Sequence, residues 1–398
     1  MCQLRHGNDS APNLSKLWFL WWAASDDHES EVKERKEIMK IAVDGMGGDY
    51  APQTVVEGAV EAALSFSDIN EIVIVGKEAA IKRELNRHKI PGGRISVHHA
   101  SEVIDMGESP VKAVKKKKDS SLNVCIDLLK RHEVDAVISA GNTGAVVAAA
   151  SLNLGLLAGI KRPGIAITFP TLHGISLAID VGANIDPSPE HLLQYAIMGE
   201  VYVRYLLKKK RPAVGLLNIG EEESKGTEVL QEAYKMLRDS NINFIGNIEG
   251  RDFFDGKADC IVCDGFVGNV VLKMIESVIE VFVRLISNEI KKDFLAQIGA
   301  FFCQNAFESI RRQTNYEEAG GAPLLGVDGP VIIGHGISSA KAIRNAIRAG
   351  ANMVECQLND RIVEEIKLLN HKGNSSDLSS PETNFSVAQS SDEINWIK

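Results

Sequence analysis

Short apolar runs alternate with amphipathic stretches from Met39 onward. The apolar run Ile41–Val43 precedes a helical pattern over 54–66, and Glu71–Val75 precedes a second helical pattern over 78–88. Strands that alternate with helices in this way are typical of βαβ units, whose strands run parallel. The pattern therefore predicts an α/β fold with a mostly parallel sheet.

The same alternation continues through most of the chain. Further strands are predicted at 95–98, 136–138, 164–168, 176–180, 213–218, 243–246, 260–264 and 331–333, with a helix over 124–131. The region 270–302 is different because its apolar residues repeat at helical spacing over a long stretch, interrupted by charges. We expect an amphipathic helix or helical hairpin there, and the residues alone favour a core or dimer face over a membrane surface.

A glycine-lined turn directly follows the first predicted strand. Asp44 ends the strand, Gly47 and Gly48 follow, and Asp49 precedes the next helix. Open α/β sheets bind ligands at the carboxyl ends of their strands, and glycines let the backbone approach a ligand closely. The turn lacks the third glycine of a dinucleotide fingerprint, since Tyr50 stands in its place. A phosphate cradle and an ordinary tight turn both remain open.

Polar residues recur where other predicted strands end. Asn142 and Thr143 follow the strand 136–138 and begin a helix whose N-terminus could face an anion, although both residue types also cap helices for structural reasons. The other residues of this kind are Asp180, Asn184, Asn218, Asp264, Asn269 and His335. We expect these loops to line one polar crevice at a single end of the sheet.

Composition and motifs narrow the function classes. The net charge of -9 and pI of about 5.7 argue against general nucleic-acid binding. Six scattered cysteines suggest reduced thiols in a cytoplasm. Cys260 and Cys263 have metal-site spacing but fall in a predicted strand, where they would point to opposite faces, so we expect core positions. No GxSxG, P-loop or HExxH motif occurs, and no run of 18 apolar residues predicts a membrane span.

The chain ends differ in composition from the rest. Residues 1–38 are predicted to be an extension outside the fold, because Met39 begins the first core strand. Its apolar run Leu17–Ala24 leaves a weak signal peptide or an interfacial anchor as alternatives. The main domain is expected over 39–370, and the Ser- and Asn-rich residues 371–398 are predicted to be a disordered tail.

A run of four lysines, Lys115–Lys118, stands out in this acidic chain. Such a run is usually a solvated face, and the residues alone favour that interpretation. With Lys112 and the cluster 208–211, it could instead steer an acidic partner.

Several long segments together resemble the phosphate acyltransferase (PlsX) family of bacterial phospholipid synthesis. The segments are MKIAVDGMGGDYAP, SAGNTGAVVAA, DVGANIDPSPEHLLQYAIMG, VGLLNIGEEESKGTE, INFIGNIEGRDFFDGKAD, VCDGFVGNVVLK and GGAPLLGVDGPVIIGHGISSAKAI. They span about Met39 to Leu369 in the family's order, which is far more specific than one short motif.

The resemblance implies a fold and a reaction. The fold would be a Rossmann-like three-layer α/β/α sandwich, similar to phosphotransacetylase and the isocitrate and isopropylmalate dehydrogenases. The enzyme would transfer an acyl group from acyl-[acyl carrier protein] to inorganic phosphate, and the acyl phosphate would then serve glycerol 3-phosphate acylation. The resemblance also implies a homodimer in the cytoplasm that associates peripherally with the membrane, with glycerol-3-phosphate acyltransferase as a possible partner. Because the carrier protein is acidic, the lysine clusters gain a candidate partner.

Phosphate is already an oxygen nucleophile, so this reaction needs positioned N–H donors rather than an activated side chain, a metal or a cofactor. Phosphate binding is predicted for Gly47, Gly48, Lys112, Asn142 and Thr143. Asp44, Asp180 and Asn184 would orient the site, and His335 would protonate the departing thiolate. Asp49, Asn218, Asp264 and Asn269 complete the predicted substrate-binding residues.

Three other functions stay open at this point. One is a phosphotransacetylase-type enzyme that uses acyl-CoA, and a second is an oxidoreductase of the isocitrate dehydrogenase fold. The third is a non-catalytic, membrane-associated organiser of lipid synthesis. The donor that supports turnover, cofactor titration and liposome binding without turnover would distinguish them.

Overall fold

The computed structural model describes residues 38–88, 92–308 and 320–376, with only the backbone described for 370–376. The predicted N-terminal extension and the predicted tail therefore lie outside the described residues, except for Ile38 and the backbone of 371–376.

Strands and helices alternate through the described chain, as the apolar pattern predicts. The strands are β1 (Lys40–Asp44), β2 (Glu71–Gly76), β3 (Ile95–His99), β4 (Ala136–Ser139), β5 (Gly164–Thr171), β6 (Gly174–Ile179), β7 (Val214–Leu217), β8 (Phe244–Ile248), β9 (Cys260–Val262), β10 (Ala322–Leu325) and β11 (Val331–Ile333). The α-helices are α1 (Gln53–Ser65), α2 (Glu78–Leu85), α3 (Pro110–Lys116), α4 (Ser121–Lys130), α5 (Thr143–Ala149), α6 (Pro189–Tyr205), α7 (Glu228–Arg238), α8 (Gly265–Lys292), α9 (Phe294–Phe302), α10 (Ala340–Glu355) and α11 (Leu358–Ser376). A π-helical turn, Ala150–Leu154, extends α5, and a 3₁₀ turn, Gly250–Phe254, follows β8.

One sheet joins all of these strands in the order β3-β2-β1-β4-β11-β10-β5-β6-β9-β7-β8. Neighbours within β3-β2-β1-β4-β11 are parallel, and so are neighbours within β6-β9-β7-β8. The three pairings between these blocks, β11–β10, β10–β5 and β5–β6, are antiparallel. Three reversals in succession leave the two parallel blocks running in opposite directions. The prediction of a mostly parallel sheet is confirmed.

Because the two parallel blocks run in opposite directions, the loops that follow their strands lie at opposite ends of the sheet. At the first end, β1, β4 and β11 lead into the loops 45–52, 140–142 and 334–339. At the second end, β6, β7 and β9 lead into the loops 180–188, 218–227 and 263–264. The expectation that all the polar strand ends share one end of the sheet is wrong, because sequence periodicity carries no information about the three reversals.

Alternate residues of each strand pack on opposite faces of the sheet, as the pleat requires. Ile41 and Val43 of β1 join a core with α1, α6, α10 and α11, whereas Ala42 joins a core with α3, α4 and α5. All three residues are at most 1% exposed. Burial of one such aliphatic side chain contributes about 1.5–3 kcal/mol. Helices therefore cover both faces, which is the three-layer α/β/α arrangement.

The predicted helical region forms two consecutive helices, α8 and α9, which are separated by Asp293. In α8, Gly265 and Gly268 are the buried residues, and the rest of the helix is exposed or half-buried. The exposed apolar side chains are Phe266, Val267, Val270, Met274, Val278, Val281, Phe282, Val283, Leu285 and Ile286 of α8, with Phe294, Leu295, Ile298, Phe301 and Phe302 of α9. Among the described residues, no helix is both long and apolar enough to span a bilayer.

Strand β10 is absent from the sequence prediction. Pro323 lies inside it, and proline cannot donate a ladder hydrogen bond, so it argues against a strand. The strand is possible because its pairing is divided. Ala322 and Pro323 pair with β11, whereas Leu324 and Leu325 pair with β5.

Candidate active site

The turn after β1 is held by the Asp44 carboxylate. Asp44 is 3% exposed and accepts hydrogen bonds from the Ser139 hydroxyl at 2.8 Å and from the Met46 N–H at 3.2 Å. Burial raises the pKa of Asp44, although hydrogen bonds from Ser121, Ser139 and the backbone oppose that rise. This side chain ties β1 to β4 and to its own turn. The carboxylate thus contacts neighbouring loops, and its orienting role stays a prediction.

Two glycines of this turn have no room for a side chain. A Cβ on Gly47 would lie 2.7 Å from Oδ2 of Asp44 and 2.8 Å from the N atom of Gly141. Gly48 has a φ of 106°, which favours glycine, and its Cβ would lie 3.1 Å from the carbonyl oxygen of Gly336. The Asp49 N–H donates to that same Gly336 oxygen at 2.8 Å. The loops after β1, β4 and β11 are therefore in direct contact.

Asn142 caps α5 and fixes the loop before α3. Its Oδ1 accepts from the Ala145 N–H at 3.0 Å, and its Nδ2 donates to the carbonyl oxygen of Met106 at 2.7 Å and of Glu108 at 3.3 Å. These bonds engage both the oxygen and the NH₂ group of the side chain in the fold. Any contribution of Asn142 to phosphate binding would come from its backbone N–H or from its hold on the neighbouring loop.

The first end of the sheet keeps unoccupied donors. Within the described residues, the N–H groups of Gly48, Thr143 and Gly144 donate to no acceptor. Helix N-termini regularly leave such N–H groups, and anions bind to them. Around them, Lys112, Thr143 and His335 are exposed. Nδ1 of His335 accepts a long 3.4 Å hydrogen bond from the Ile337 N–H. The structure thus brings together, at one end of the sheet, most of the predicted phosphate-binding residues and the predicted acid.

The second end of the sheet is built differently, around Asp180. This residue is completely buried, and its Oδ1 accepts from the N–H groups of Ile165, Gly182 and Ala183 at 2.9–3.1 Å. Its Oδ2 accepts from the Asn184 N–H at 2.8 Å. Burial raises the pKa of Asp180, and the backbone donors oppose the rise. Because it accepts from its own turn and from Ile165 of β5, Asp180 orders the loop and joins it to that strand.

Asn184 extends this closed network. Its Nδ2 donates to the carbonyl oxygen of Pro163 at 2.6 Å and to the Tyr195 hydroxyl at 2.7 Å. Its carbonyl oxygen accepts from the Gly265 N–H at 2.8 Å. Burial raises the pKa of Tyr195 far above its ordinary value, so the hydroxyl stays protonated. The predicted orienting residues Asp180 and Asn184 therefore organise the second end, away from His335.

The remaining predicted substrate residues also lie at the second end. Asp264 caps α8 by accepting from the Val267 N–H at 2.8 Å. Asn218 is buried and bridges its own loop, with Nδ2 donating to the Lys225 carbonyl oxygen at 3.1 Å and Oδ1 accepting from the Ile219 N–H at 2.8 Å. Asn269 is exposed beside Gly182. Their binding roles remain predictions.

Sequence reasoning missed three contributors to the first end. Ser139 and Ser121 both hydrogen-bond to Asp44, and Met106 approaches Gly336 from a loop that shows no periodicity. Ser139 is the last residue of an apolar strand, where a hydroxyl is a detectable signal. Ser121 and Met106 carried no comparable signal.

The core placement of both cysteines is confirmed. Cys260 and Cys263 are free and buried, and they belong to the cores on opposite faces of the sheet. Burial raises the pKa of both thiols. Within the described part of the chain, no group of three or more His, Cys, Asp or Glu side chains is arranged to hold a metal ion.

Comparisons with known sequences find close relatives over most of the chain. A family model described as fatty acid synthesis protein matches residues 39–361. The phosphate acyltransferase of Dictyoglomus turgidum is 49% identical over 337 residues, which are 84% of this chain and 100% of the relative. That of Geobacter sulfurreducens is 46% identical over 329 residues, which are 83% of this chain and 94% of the relative.

Solved structures with a similar fold are more distant in sequence. EutD phosphotransacetylase from Staphylococcus aureus aligns with a TM-score of 0.51 at 15% identity, covering 79% of this chain and 94% of that one. A phosphotransacetylase from Streptococcus pyogenes aligns with a TM-score of 0.50 at 18% identity, covering 83% and 94%. At these identities the likeness establishes the Rossmann-like α/β fold alone.

Proposed function

This chain belongs to the fatty acid synthesis protein family, and we propose that acyl carrier protein delivers the acyl group that it transfers to phosphate. Acyl transfer to phosphate in phospholipid synthesis is the activity of this enzyme. The carrier protein as donor, the placement of phosphate at the first end of the sheet and the roles of single residues are proposals.

The observation that carries the placement is the set of unoccupied N–H groups of Gly48, Thr143 and Gly144. Phosphate binds where several such donors converge beside a cation. Lys112 is exposed nearby and has no partner among the described residues. At the second end, by contrast, the Asp180 carboxylate occupies the corresponding donors.

The proposed chemistry needs no enzyme nucleophile. A phosphate oxygen attacks the thioester carbonyl carbon, which forms a C–O bond and a tetrahedral oxyanion. The oxyanion then collapses, the C–S bond breaks and its electron pair leaves with sulfur. The glycine turn and the α5 N-terminus position phosphate and donate to the developing negative charge. One oxyanion donor of this kind contributes about 10²–10³ in rate.

His335 is the proposed donor of the proton that the leaving thiolate accepts. It is exposed in the loop after β11, whose Gly336 contacts the glycine turn. Because a thiolate is a good leaving group, the proton transfer would assist departure and would not be indispensable to it.

The exposed apolar side chains of α8 and α9 support the proposal of a homodimer with peripheral membrane association. Exposed apolar patches of this extent mark protein or membrane contacts. Light scattering in solution tests the dimer, and flotation with anionic liposomes tests the membrane contact. A monomer that fails to float would contradict both.

The test of the reaction is release of carrier-protein thiol from palmitoyl-[acyl carrier protein], with and without inorganic phosphate. We expect phosphate-dependent release and an acyl phosphate that hydroxylamine traps. Turnover with acetyl-CoA but none with the carrier protein would move the donor to acyl-CoA. Absence of turnover with both donors would favour a non-catalytic organiser.

A further inference from the structure

A basic face lies beside the first end of the sheet, on α3. Lys112, Lys115 and Lys116 occupy positions i, i+3 and i+4 of this helix and therefore share one side of it. Lys118 follows directly. All four are exposed, and none of their side chains has a hydrogen bond or an ion pair with any described residue. We call these four residues the α3 basic face.

Lys117 belongs to the same run of lysines, but its side chain has partners within the fold. It is half-buried and pairs with the Glu108 carboxylate, and its Nζ also donates to the carbonyl oxygen of Val103 at 2.6 Å. The hydrogen bond to Glu108 raises the pKa of Lys117. One lysine in the run is thus tied to the fold, whereas the α3 basic face has no structural partner.

The α3 basic face is rigidly attached to the candidate active site. A Cβ on Gly144 would lie 2.7 Å from Cγ of Pro110, so the first turn of α3 packs on the first turn of α5. Asn142 also holds the loop before α3 through the carbonyl oxygens of Met106 and Glu108. A partner bound to α3 would therefore stand at a fixed position next to the unoccupied N–H donors.

Exposed apolar side chains lie on α3 and in two loops near the basic face and the site. Met106, Val111 and Ile337 are 45%, 47% and 49% exposed. Met106 Cε would lie 2.8 Å from a Cβ on Gly336, the residue before Ile337, and Val111 precedes Lys112 in α3. This apolar collar offers contact to a flexible, partly apolar arm that reaches from a docked partner to the site.

We propose that the α3 basic face docks the acidic surface of the carrier protein, and that the apolar collar receives the arm bearing the acyl thioester. The proposal rests on the proposed function. The chain as a whole carries a net charge of -9, so it repels an acidic partner except where unpaired lysines concentrate. Such a patch orients an acidic partner as it approaches and raises its association rate.

An anionic membrane is the competing partner for four lysines. The chain places its large exposed apolar surface on α8, which starts from β9 at the second end of the sheet. A basic face that served membrane binding would be expected beside that surface. The α3 basic face lies instead at the first end, beside the candidate active site, which favours the carrier protein.

The test is the double variant Lys115→Glu/Lys116→Glu, with Lys112 left unchanged because it is a candidate phosphate ligand. We expect kcat/KM for palmitoyl-[acyl carrier protein] to fall about tenfold or more and to lose most of its dependence on salt. With a small acyl thioester lacking the carrier protein, activity should change less than about twofold. The matched control is Lys235→Glu/Lys367→Glu, which makes the same change in charge on exposed residues of α7 and α11.

Lys115 and Lys116 also lie in the last turn of α3, where cations stabilise the helix. The milder variant Lys115→Gln/Lys116→Gln and a thermal melt of each protein separate lost folding from lost docking. Equal losses with both donors, or no loss with either, would overturn the proposal. Loss of binding to anionic vesicles with carrier binding intact would overturn it in favour of the membrane.

Direct binding of the carrier protein without its acyl group distinguishes the two proposals. The enzyme could bind the carrier protein, lose that binding in the double variant, and still show no phosphate-dependent turnover. That result would refute the proposed donor reaction and keep the docking surface. If the enzyme turns over and the double variant binds the carrier protein as well as the wild type does, the docking surface is refuted and the donor reaction is kept.

Discussion

The two ends of the sheet each present an aspartate and a glycine turn after a buried strand, but they use their backbone donors differently. At the second end, the N–H groups of Gly182 and Ala183 both donate to the Asp180 carboxylate. At the first end, those of Gly48 and Thr143 donate to no acceptor among the described residues. The turn after β6 is thus closed on Asp180, whereas the loops after β1 and β4 leave donors open to an anion. We call these the closed end and the open end of the sheet.

Exposure does not separate the two ends. Asp44 and Asp180 are both buried, whereas Lys112 and His335 at the first end and Asn269 at the second end are exposed. A polar residue at a strand end indicates a ligand only when its own loop leaves it unused. Counting hydrogen bonds, rather than residue types, therefore distinguishes a site from a scaffold.

The largest effect is expected from Asp180→Asn. The carboxamide keeps one oxygen for the N–H groups that now donate to Oδ1, but it places an NH₂ group opposite the N–H and Nδ2 of Asn184, which now donate to Oδ2. A buried donor without an acceptor costs about 1–3 kcal/mol. We expect the free energy of unfolding in urea to fall by about 3 kcal/mol, since two donors lose their acceptor. An unchanged denaturation midpoint would contradict the scaffold role of Asp180.

The same variant gives a pH test. Since burial raises the pKa of Asp180 in the folded protein, its protonation stabilises the fold below the unfolded-state pKa, and this contribution is lost as pH rises through the folded-state pKa. Asp180→Asn has no such titration. As the pH falls from about 7 to about 4, the free energy of unfolding of the wild type should therefore rise relative to that of the variant. A fall in the wild type relative to the variant over the same pH range would contradict the raised pKa.

Gly47→Ala should act on catalysis at the open end. Its Cβ would meet Oδ2 of Asp44 at 2.7 Å and the N atom of Gly141 at 2.8 Å, so the turn must move. Displacing the donors of this turn should lower phosphate-dependent thiol release about 10²–10³-fold. Gly107→Ala is the matched control, because a Cβ there meets nothing within 4 Å, and it should change the rate less than twofold. Equal rates for the two variants would remove the turn from the site.

The difference between the ends marks the limit of what the sequence could predict. Periodicity located β1, β4, β6 and β11 almost to the residue, because buried strands require apolar runs. It could not predict the three successive antiparallel pairings, β11–β10, β10–β5 and β5–β6, that leave the two parallel blocks running in opposite directions. The sequence therefore predicts equivalent positions for Asp44 and Asp180, although the strands β1 and β6 run in opposite directions.

Hydrogen bonding in the loops was equally hidden. Asn142 looked like a phosphate ligand because of its residue type, but its side chain is used by the Ala145 N–H and by two carbonyl oxygens. Such assignments depend on contacts between loops distant in sequence, such as Asn142 with Met106. No local pattern encodes them.

His335→Gln tests whether the open end also supplies a proton. General acid catalysis contributes about 10²–10⁴ in rate, so a fall of about 10² in kcat is expected if proton transfer assists thiolate departure. His98→Gln, an exposed histidine on β3, is the control and should leave kcat unchanged. An unchanged kcat in His335→Gln would remove the acid role.

The smallest effect is expected from Thr143→Val, which deletes one exposed hydroxyl at the start of α5. If the hydroxyl contacts phosphate, KM for phosphate should rise about tenfold, which corresponds to one hydrogen bond of about 1.4 kcal/mol to a charged group. Because the hydroxyl is exposed, the free energy of unfolding should change by less than about 0.5 kcal/mol. The matched change at the closed end is Thr227→Val, which removes the cap of α7 and should lower stability by about 1 kcal/mol without altering KM. A KM effect at Thr227 and none at Thr143 would place phosphate at the second end of the sheet.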